Sequence, residues 1–359
     1  MRVIIAGGGT GGHLFPAVAV GEEMVRERPG TEVLYAGTAN GFEARWLPQS
    51  GYRYELFDVH GIRGHGALGR MRAVAEFVRA IRLARALVAR VRPHLAVCVG
   101  GYASAPVGVA AAVSRVPIVI LEQNVIPGLS NRILRRFARK ICISFPDSRD
   151  YFPSAKVELT GNPIRYRPRT DRAPMEGRPA QILVLGGSTG AHRLNIGVVG
   201  AFKIWAKGVI KLKVTHQTGE ADVELVRQAY GELPFEAEVV PFITDMPAAL
   251  AAADLVVARS GGGTVTDIAH SARAAIFVPY PFHRDMQQLH NARVIEKLEG
   301  AIIVKDDESL AGNLAREMKL LLDDPARLAA MGARAHTAVF PDAAARVARV
   351  CFNAARVEN

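Results

Sequence analysis

The chain has 359 residues, 49% hydrophobic and 22% charged, a balance that excludes a disordered protein and gives length enough for two domains of ordinary size. Its three cysteines, Cys98, Cys142 and Cys351, are widely spaced and form no CxxC pair, which argues against a disulfide framework or a cysteine zinc site and fits a reducing cytoplasm. The formal net charge of +11 is uneven: residues 1–160 hold 21 Lys and Arg against 12 Asp and Glu, or +9, and residues 161–359 hold 24 against 22, or +2, so the first half faces something anionic.

In chain order, "RVIIA" reads as a buried strand that runs into "GGGTGGH", residues 7–13, ahead of a helix expected over residues 16–28. The segment before the glycines is too short for a secretory signal. "EVLYA" predicts a second strand, residues 42–49 a helix, residues 68–92 a long amphipathic helix, and "LAVCV", "PIVIL" and "KICIS" further strands. Continuous Val/Ile/Leu runs alternating with helices predict a parallel sheet covered on both faces, a doubly wound α/β domain. Residues 95–114 carry no charge and reach the length of a membrane span. "GGYASAP" in their middle predicts instead a buried strand, a turn and a buried helix start.

Residues 161–179, with four prolines and five arginines, read as a surface linker. The alternation then restarts with "QILVL", "KLKVTH", "AEVV", "DLVVA" and "AAIFVP". The expected organisation is one domain over residues 1–163, a second over 164–340, and a last helix over 341–359 that returns to the first. "GGSTGAH", residues 186–192, opens the second domain as "GGGTGGH" opens the first.

In both copies a strand runs through glycines into a helix, so unpaired amides at the helix start can face an anion and a phosphate can approach the backbone. A diphosphate is the natural ligand. Gly7, Gly9 and Gly12 satisfy G-x-G-x-x-G, but the second strand ends in Ala36, Gly37 and Thr38, where a nicotinamide-binding unit needs an acid for its ribose. "GGY" after "LAVCV" and "RSGGGTVTDIA" after "DLVVA" bring such turns to four, predicting a cleft with anion sites on both walls. In the fourth, residues 260–264 supply donors and Asp267 follows about a turn later, a pattern for a nucleoside diphosphate and its ribose. Gln287 and Gln288 stand at another helix start, where amides suit sugar hydroxyls.

With "GGGTGGH", "GIRGHG", "GGY", "LEQN", "GNPIR", "GGSTGA", "RSGGGT" and "MQQ" in this order, the sequence resembles the MurG family of peripheral membrane glycosyltransferases over essentially its whole length. The resemblance implies a GT-B fold, α/β, with two Rossmann-like doubly wound domains facing across a cleft. It implies a hexosyltransferase that moves GlcNAc from UDP-GlcNAc to the C4 hydroxyl of MurNAc in lipid I, giving lipid II for peptidoglycan synthesis, with inversion. By the same resemblance Gly9, Gly100, Gly101 and Tyr102 receive the lipid I diphosphate, while Thr10, Gly11 and Gly12 border the donor. Asn124 and Arg165 contact the donor, Ser188 and Thr189 sit against the UDP diphosphate, and Ile243 holds uracil through its backbone. Gly262, Gly263, Thr264, Val265, Thr266 and Asp267 wrap phosphate and ribose, and Gln287 and Gln288 read the sugar. Two positions depart from the family: Asp267 stands where Glu is usual and Thr189 where Gln is usual. A side chain one methylene shorter reaches about 1.5 Å less, so the ribose contact calls for a water or a backbone shift.

His13 is the expected general base, with Glu122 orienting it or acting as the base itself. His192, its counterpart in the second copy, reads as structural or phosphate-flanking. Loop amides and Arg165 are expected to stabilise the departing UDP with no cofactor and no obligatory metal; "KDDES" and "LLDDP" read as helix-boundary charge. Residues 70–92 carry seven arginines and only Glu76 as an acid, with Val74, Phe77, Val78, Ile81, Val88 and Val91 expected on the packed face. Together with Arg135, Arg136, Arg139 and Lys140 they predict attraction to anionic inner-leaflet lipids and a peripheral position on the cytoplasmic face of the cell membrane. Other cell-wall synthesis proteins are expected partners; nucleic acid is not, because the basic segments lack interleaved aromatics. The competing readings are another GT-B enzyme using UDP-GlcNAc, such as a 2-epimerase or a different lipid-linked transferase, and a non-catalytic nucleotide-binding scaffold.

Overall fold

A computed structural model describes residues 1–58, 66–166, 168–170, 175, 177–187, 190–205 and 211–355. It divides into two units, Met1–Arg165 with Asp342–Asn359, and Tyr166–Pro341. The boundaries expected after residues 163 and 340 thus fall after Arg165 and Pro341.

The first unit runs β1 (Arg2–Gly7), α1 (Gly11–Glu27), β2 (Glu32–Thr38), α2 (Phe42–Trp46), β3 (Tyr54–Phe57), α3 (Gly66–Val91), β4 (Leu95–Gly100), α4 (Ser104–Val113), β5 (Ile118–Glu122), α5 (Leu129–Leu134), β6 (Lys140–Ile143) and β7 (Val157–Leu159). Its strands lie in the order β3-β2-β1-β4-β5-β6-β7, every neighbouring pair parallel. Successive side chains point to opposite faces. Val3, Ile5, Val97 and Leu121 therefore pack with Leu14, Val18 and Met24 of α1. Ile4 and Ala6 pack with Ala80, Ala84 and Leu87 of α3 and with Val107 of α4. Both faces are buried, which is why the strands read as unbroken apolar runs.

The second unit runs β8 (Ala180–Leu185), α6 (His192–Trp205), β9 (Leu212–Gln217), α7 (Val223–Gly231), β10 (Glu236–Val240), α8 (Met246–Ala252), β11 (Leu255–Ala258), α9 (Gly262–His270), β12 (Ala274–Phe277), α10 (Gln287–Glu296), β13 (Ala301–Ile303), α11 (Leu310–Leu322) and α12 (Pro325–His336). The strand order is β10-β9-β8-β11-β12-β13, again parallel throughout. The last helix, α13 (Ala343–Ala355), belongs to the first unit, where Val347, Cys351 and Phe352 join the cluster of Val18 and Met24. Each fully buried large apolar side chain there contributes on the order of 1.5–3 kcal/mol.

Three differences from the sequence reading have plain causes. The first helix starts at Gly11, not at residue 16: Pro16 lies inside it, where its missing N–H leaves the Gly12 carbonyl without a helical partner. β3, β7 and β13 are edge strands of three or four residues, too short to carry a periodic signal. The packed face of α3 uses Ala80, Ala84, Leu87 and Val88, whereas Val74 and Val78 are exposed.

Candidate active site

In each sheet the winding reverses beside its first strand, between β1 and β4 in one unit and between β8 and β11 in the other. Ligands of open α/β sheets bind outside the strand ends at such a reversal. The four glycine turns stand at these four strand ends, two per unit.

In the first unit the two turns interlock. Gly101 has φ +79°, and a Cβ there would stand 1.9 Å from the Gly8 carbonyl oxygen, so only glycine lets the backbones meet. Gly100 has φ +97°, and a Cβ there would stand 2.9 Å from the His13 ring. His13 therefore rests directly on the third turn. Its Nδ1 is 3.3 Å from Thr10 Oγ1, and burial, opposed by the nearby Glu43 charge, lowers its pKa, so the imidazole is neutral at pH 7. Thr10 caps α1 in an extended conformation without a side-chain cap bond, and the amides of Gly11 and Gly12 begin the helix. Tyr102 is 52% exposed and its ring faces Gly9.

Not every residue expected to meet the acceptor diphosphate has its amide free. The Gly9 N–H donates to both carboxylate oxygens of Glu43 at 3.0 and 2.8 Å, and the Gly100 N–H donates to Ser104 Oγ at 2.9 Å. The Gly9 and Gly100 amides are thus engaged inside the turns, whereas the Gly101 amide, and those of Gly11 and Gly12 that the resemblance placed beside the donor, take no side-chain acceptor among the described residues. Glu43 is fully buried and also accepts from the Thr38 N–H and hydroxyl at 2.7 and 2.6 Å. Nothing in a glycine motif points to it; the signal was an acid just beyond the end of β2.

Glu122 is buried at 1% exposure. Its Oε1 accepts from the Asn124 N–H and side-chain amide at 3.0 and 3.1 Å. Its Oε2 accepts from the Gly128 N–H at 3.2 Å and Asn131 Nδ2 at 2.9 Å. Burial raises its pKa and these four donors work against that rise. A carboxylate so enclosed organises the loop between β5 and α5. No hydrogen bond joins it to His13 among the described residues, so the expectation that it orients His13 or acts as the base gives way to an anchoring role. Asn124 is held by the same carboxylate. Arg165 lies on the first unit, 3.3 Å from Glu22 and with its guanidinium 5.0 Å from the Trp46 ring centroid.

In the second unit the loop after β8 carries Gly187 at φ +88° and Gly190 at φ +82°; Ser188 and Thr189 lie outside the described residues. Gln217, which sequence reasoning missed, ties this loop to the segment after β10. Its Nε2 donates to the Gly187 carbonyl at 2.9 Å and its Oε1 accepts the Ile243 N–H at 2.9 Å. The Ile243 amide is therefore spent, and only its carbonyl is left to meet a base. His192 Nδ1 is 2.9 Å from Asp222 Oδ1, and Asp222 Oδ2 accepts from Asn195, which fixes His192 to the body of the unit.

α9 begins at Gly262 after an uncapped, extended Gly261. Gly263, Thr264 and Asp267 share its half-exposed face. Val265 is fully buried and its N–H bonds Gly261 within the helix, and Thr266 turns its hydroxyl to the Gly262 carbonyl at 2.8 Å; neither side chain faces outward. Ser260 is likewise turned inward, its hydroxyl donating to the Gln288 carbonyl at 2.8 Å. Gln288 Oε1 accepts the Ser260 and Tyr280 N–H groups at 3.3 and 3.0 Å, so it holds two loops together, and its NH₂ donates to no partner among the described residues. Gln287 opens α10 half-exposed. Asp306, read in "KDDES" as helix-boundary charge, is instead buried and takes Arg259 at 2.8 Å and Arg193 at 2.7 Å, securing the fourth turn. Asp267 Oδ1 accepts the Tyr166 hydroxyl at 2.9 Å, and burial pushes its pKa up to about 7. Among the described residues, no group of three or more His, Cys, Asp or Glu is arranged to hold a metal ion.

The glycosyltransferase family 28 N-terminal domain matches residues 3–143 and the glycosyltransferase family 28 C-terminal domain matches residues 181–347. A Geobacter sulfurreducens protein named UDP-N-acetylglucosamine–N-acetylmuramyl-(pentapeptide) pyrophosphoryl-undecaprenol N-acetylglucosamine transferase is 43% identical over 349 residues, 96% of each chain. A Myxococcus xanthus protein of the same name is 39% identical over 355 residues, 98% of this chain and 93% of the relative. Among solved structures, Acinetobacter baumannii MurG superposes with a TM-score of 0.78 at 28% identity over 98% of this chain and 99% of that one. The UDP-GlcNAc 2-epimerase of Neisseria meningitidis reaches 0.69 at 11% identity over 98% of this chain and 100% of that one, a likeness of fold alone.

Proposed function

The chain belongs to glycosyltransferase family 28, and from that premise we propose that it transfers N-acetylglucosamine from UDP-N-acetylglucosamine to N-acetylmuramyl-(pentapeptide) pyrophosphoryl-undecaprenol, the lipid I to lipid II step of peptidoglycan synthesis. The observation that carries this reading is the glycine turn and helix start at the winding reversal of each sheet, one anion site per unit for a reaction with a diphosphate on each substrate. Near 40% identity to transferases of that name over almost the whole chain favours it over the 2-epimerase, whose likeness lies in the fold.

In this reading the first unit takes the acceptor, its diphosphate facing the Gly11 and Gly12 amides with Tyr102 alongside. With a proton on His13 Nδ1 donated to Thr10 Oγ1, Nε2 keeps its lone pair and accepts the proton of the C4 hydroxyl. The oxygen attacks C1 of GlcNAc, the bond from C1 to the UDP oxygen breaks, and its electron pair leaves on the β-phosphate. A single displacement of this kind inverts C1. Amides at the starts of α6 and α9 stabilise the leaving charge, and the step uses no metal. Gln287 and the free NH₂ of Gln288 face the sugar hydroxyls.

The membrane location belongs to the same proposal. No helix among the described residues is long and apolar enough to cross a membrane. Leu129 and Ile133 of α5 and the following Phe137 are 62%, 41% and 58% exposed, beside the exposed Arg132 and Arg136. Met71, Val74 and Val78 of α3 are also exposed. Apolar side chains among arginines suit the headgroup region of an anionic leaflet.

The test separates chemistry from binding. His13→Ala should abolish transfer while leaving the affinity for UDP as in the wild type; wild-type transfer in that variant would remove the proposed base.

A further inference from the structure

Asp267 is paired with a residue that no motif singled out. Tyr166, the first residue of the second unit, donates its hydroxyl to Asp267 Oδ1 at 2.9 Å, and both side chains are half-buried. Asp267 lies on the same face of α9 as Gly263 and Thr264, whose amides begin that helix. A phenolic oxygen donates once and can still accept. With its proton on Oδ1, two acceptors remain side by side: the Tyr166 oxygen and Asp267 Oδ2, which takes no donor among the described residues. A pair of adjacent acceptors matches a vicinal diol, each hydroxyl of which has one proton to give. The phenol also fixes the carboxylate's orientation and favours its charged form, against the burial that drives it toward neutrality.

We propose that Tyr166 is a positioning residue of the donor site: it orients the short carboxylate of Asp267, which the resemblance already assigns to the ribose, and itself accepts one ribose hydroxyl. This rests on the reading of the second unit as the donor-binding half. The tyrosine extends the reach of an acid whose stem is one carbon shorter than that of a glutamate.

The experiment is calorimetric titration of the full chain with UDP and with 2′,3′-dideoxy-UDP. The wild type should prefer UDP by roughly tenfold or more, the scale of one to two hydrogen bonds. Tyr166→Phe should lose most of that preference while its affinity for dideoxy-UDP stays at the wild-type value, which also shows that the variant is folded. Adding Asp267→Glu to Tyr166→Phe should restore the preference, because the longer carboxylate reaches the diol unaided. A Tyr166→Phe protein that retains the wild-type preference overturns the pairing and leaves the donor reading standing. A wild type that binds UDP without preferring it over the dideoxy form also overturns the pairing. A wild type that binds neither nucleotide contradicts the donor reading and this inference with it.

Discussion

The carboxylate of Glu43 takes the Gly9 N–H on both oxygens, at 3.0 and 2.8 Å, from a fully buried position under the first glycine turn. A negative charge beneath a turn proposed to face a diphosphate is compensated by four hydrogen-bond contacts with Gly9 and Thr38. The turn is shaped by the acid, and in the proposed reading the substrate's anion is left to the helix start at Gly11.

Replacing Glu43 with Gln should therefore cost stability. The amide nitrogen cannot accept, so at least one charge-assisted bond is lost and one donor is buried unpaired, about 3 kcal/mol in all. Urea denaturation measures this; a Glu43→Gln protein within about 0.5 kcal/mol of the wild type would show that the carboxylate does not hold the turn.

The lowered pKa of His13 sets a pH dependence with a definite sign. A base must be deprotonated, so kcat/KM should rise through a pKa below 6.5 and be flat at higher pH as far as this group is concerned. Because the folded value is depressed, the unfolded chain binds more protons below 6.5, and His13 subtracts stability as pH falls through that window. His13→Ala should be less acid-sensitive than the wild type. An acidic limb with an apparent pKa above 7 in kcat at saturating UDP-N-acetylglucosamine, where donor binding through Asp267 no longer limits, would assign the base elsewhere.

Asp267 has the opposite sign. Its folded pKa is raised from 3.8 to about 7, so its stabilising contribution is complete below the unfolded value and lost as pH rises through about 7. The cost at pH 8 is at most about 4 kcal/mol by linkage and smaller for a half-exposed group. Asp267→Asn should be more stable than the wild type at pH 8, equal to it near pH 4, and weaker in binding UDP. Thermal denaturation at the two pH values checks this; a variant less stable at pH 8 would contradict it.

Phe137→Glu places a charge in the exposed apolar group formed with Leu129 and Ile133. Sedimentation with phosphatidylglycerol vesicles should show at least roughly tenfold weaker partitioning, from lost apolar contact and added repulsion. Unchanged partitioning would move the membrane contact elsewhere on the molecule.

Much of this architecture is legible in the sequence. Buried parallel strands announce themselves as "RVIIA", "LAVCV" and "DLVVA", and glycines at strand ends locate the four turns. What could not be read were the partners that lie far apart in sequence. Glu43 under Gly9, Gln217 between Gly187 and Ile243, Tyr166 on Asp267 and Asp306 between two arginines all depend on side chains converging in space. For the same reason the motifs did not show that the Val265 and Thr266 side chains turn inward or that four donors enclose Glu122: a motif names positions without saying which way each side chain turns.

The central claim is tested most directly by incubating the full chain with labelled UDP-N-acetylglucosamine and a short-chain analogue of N-acetylmuramyl-(pentapeptide) pyrophosphoryl-undecaprenol, in the presence of a chelator, and resolving the lipid product. The account predicts a disaccharide carrying a β-linked GlcNAc, formed at the rate seen without chelator. UDP binding without any transfer of label to the lipid would contradict it.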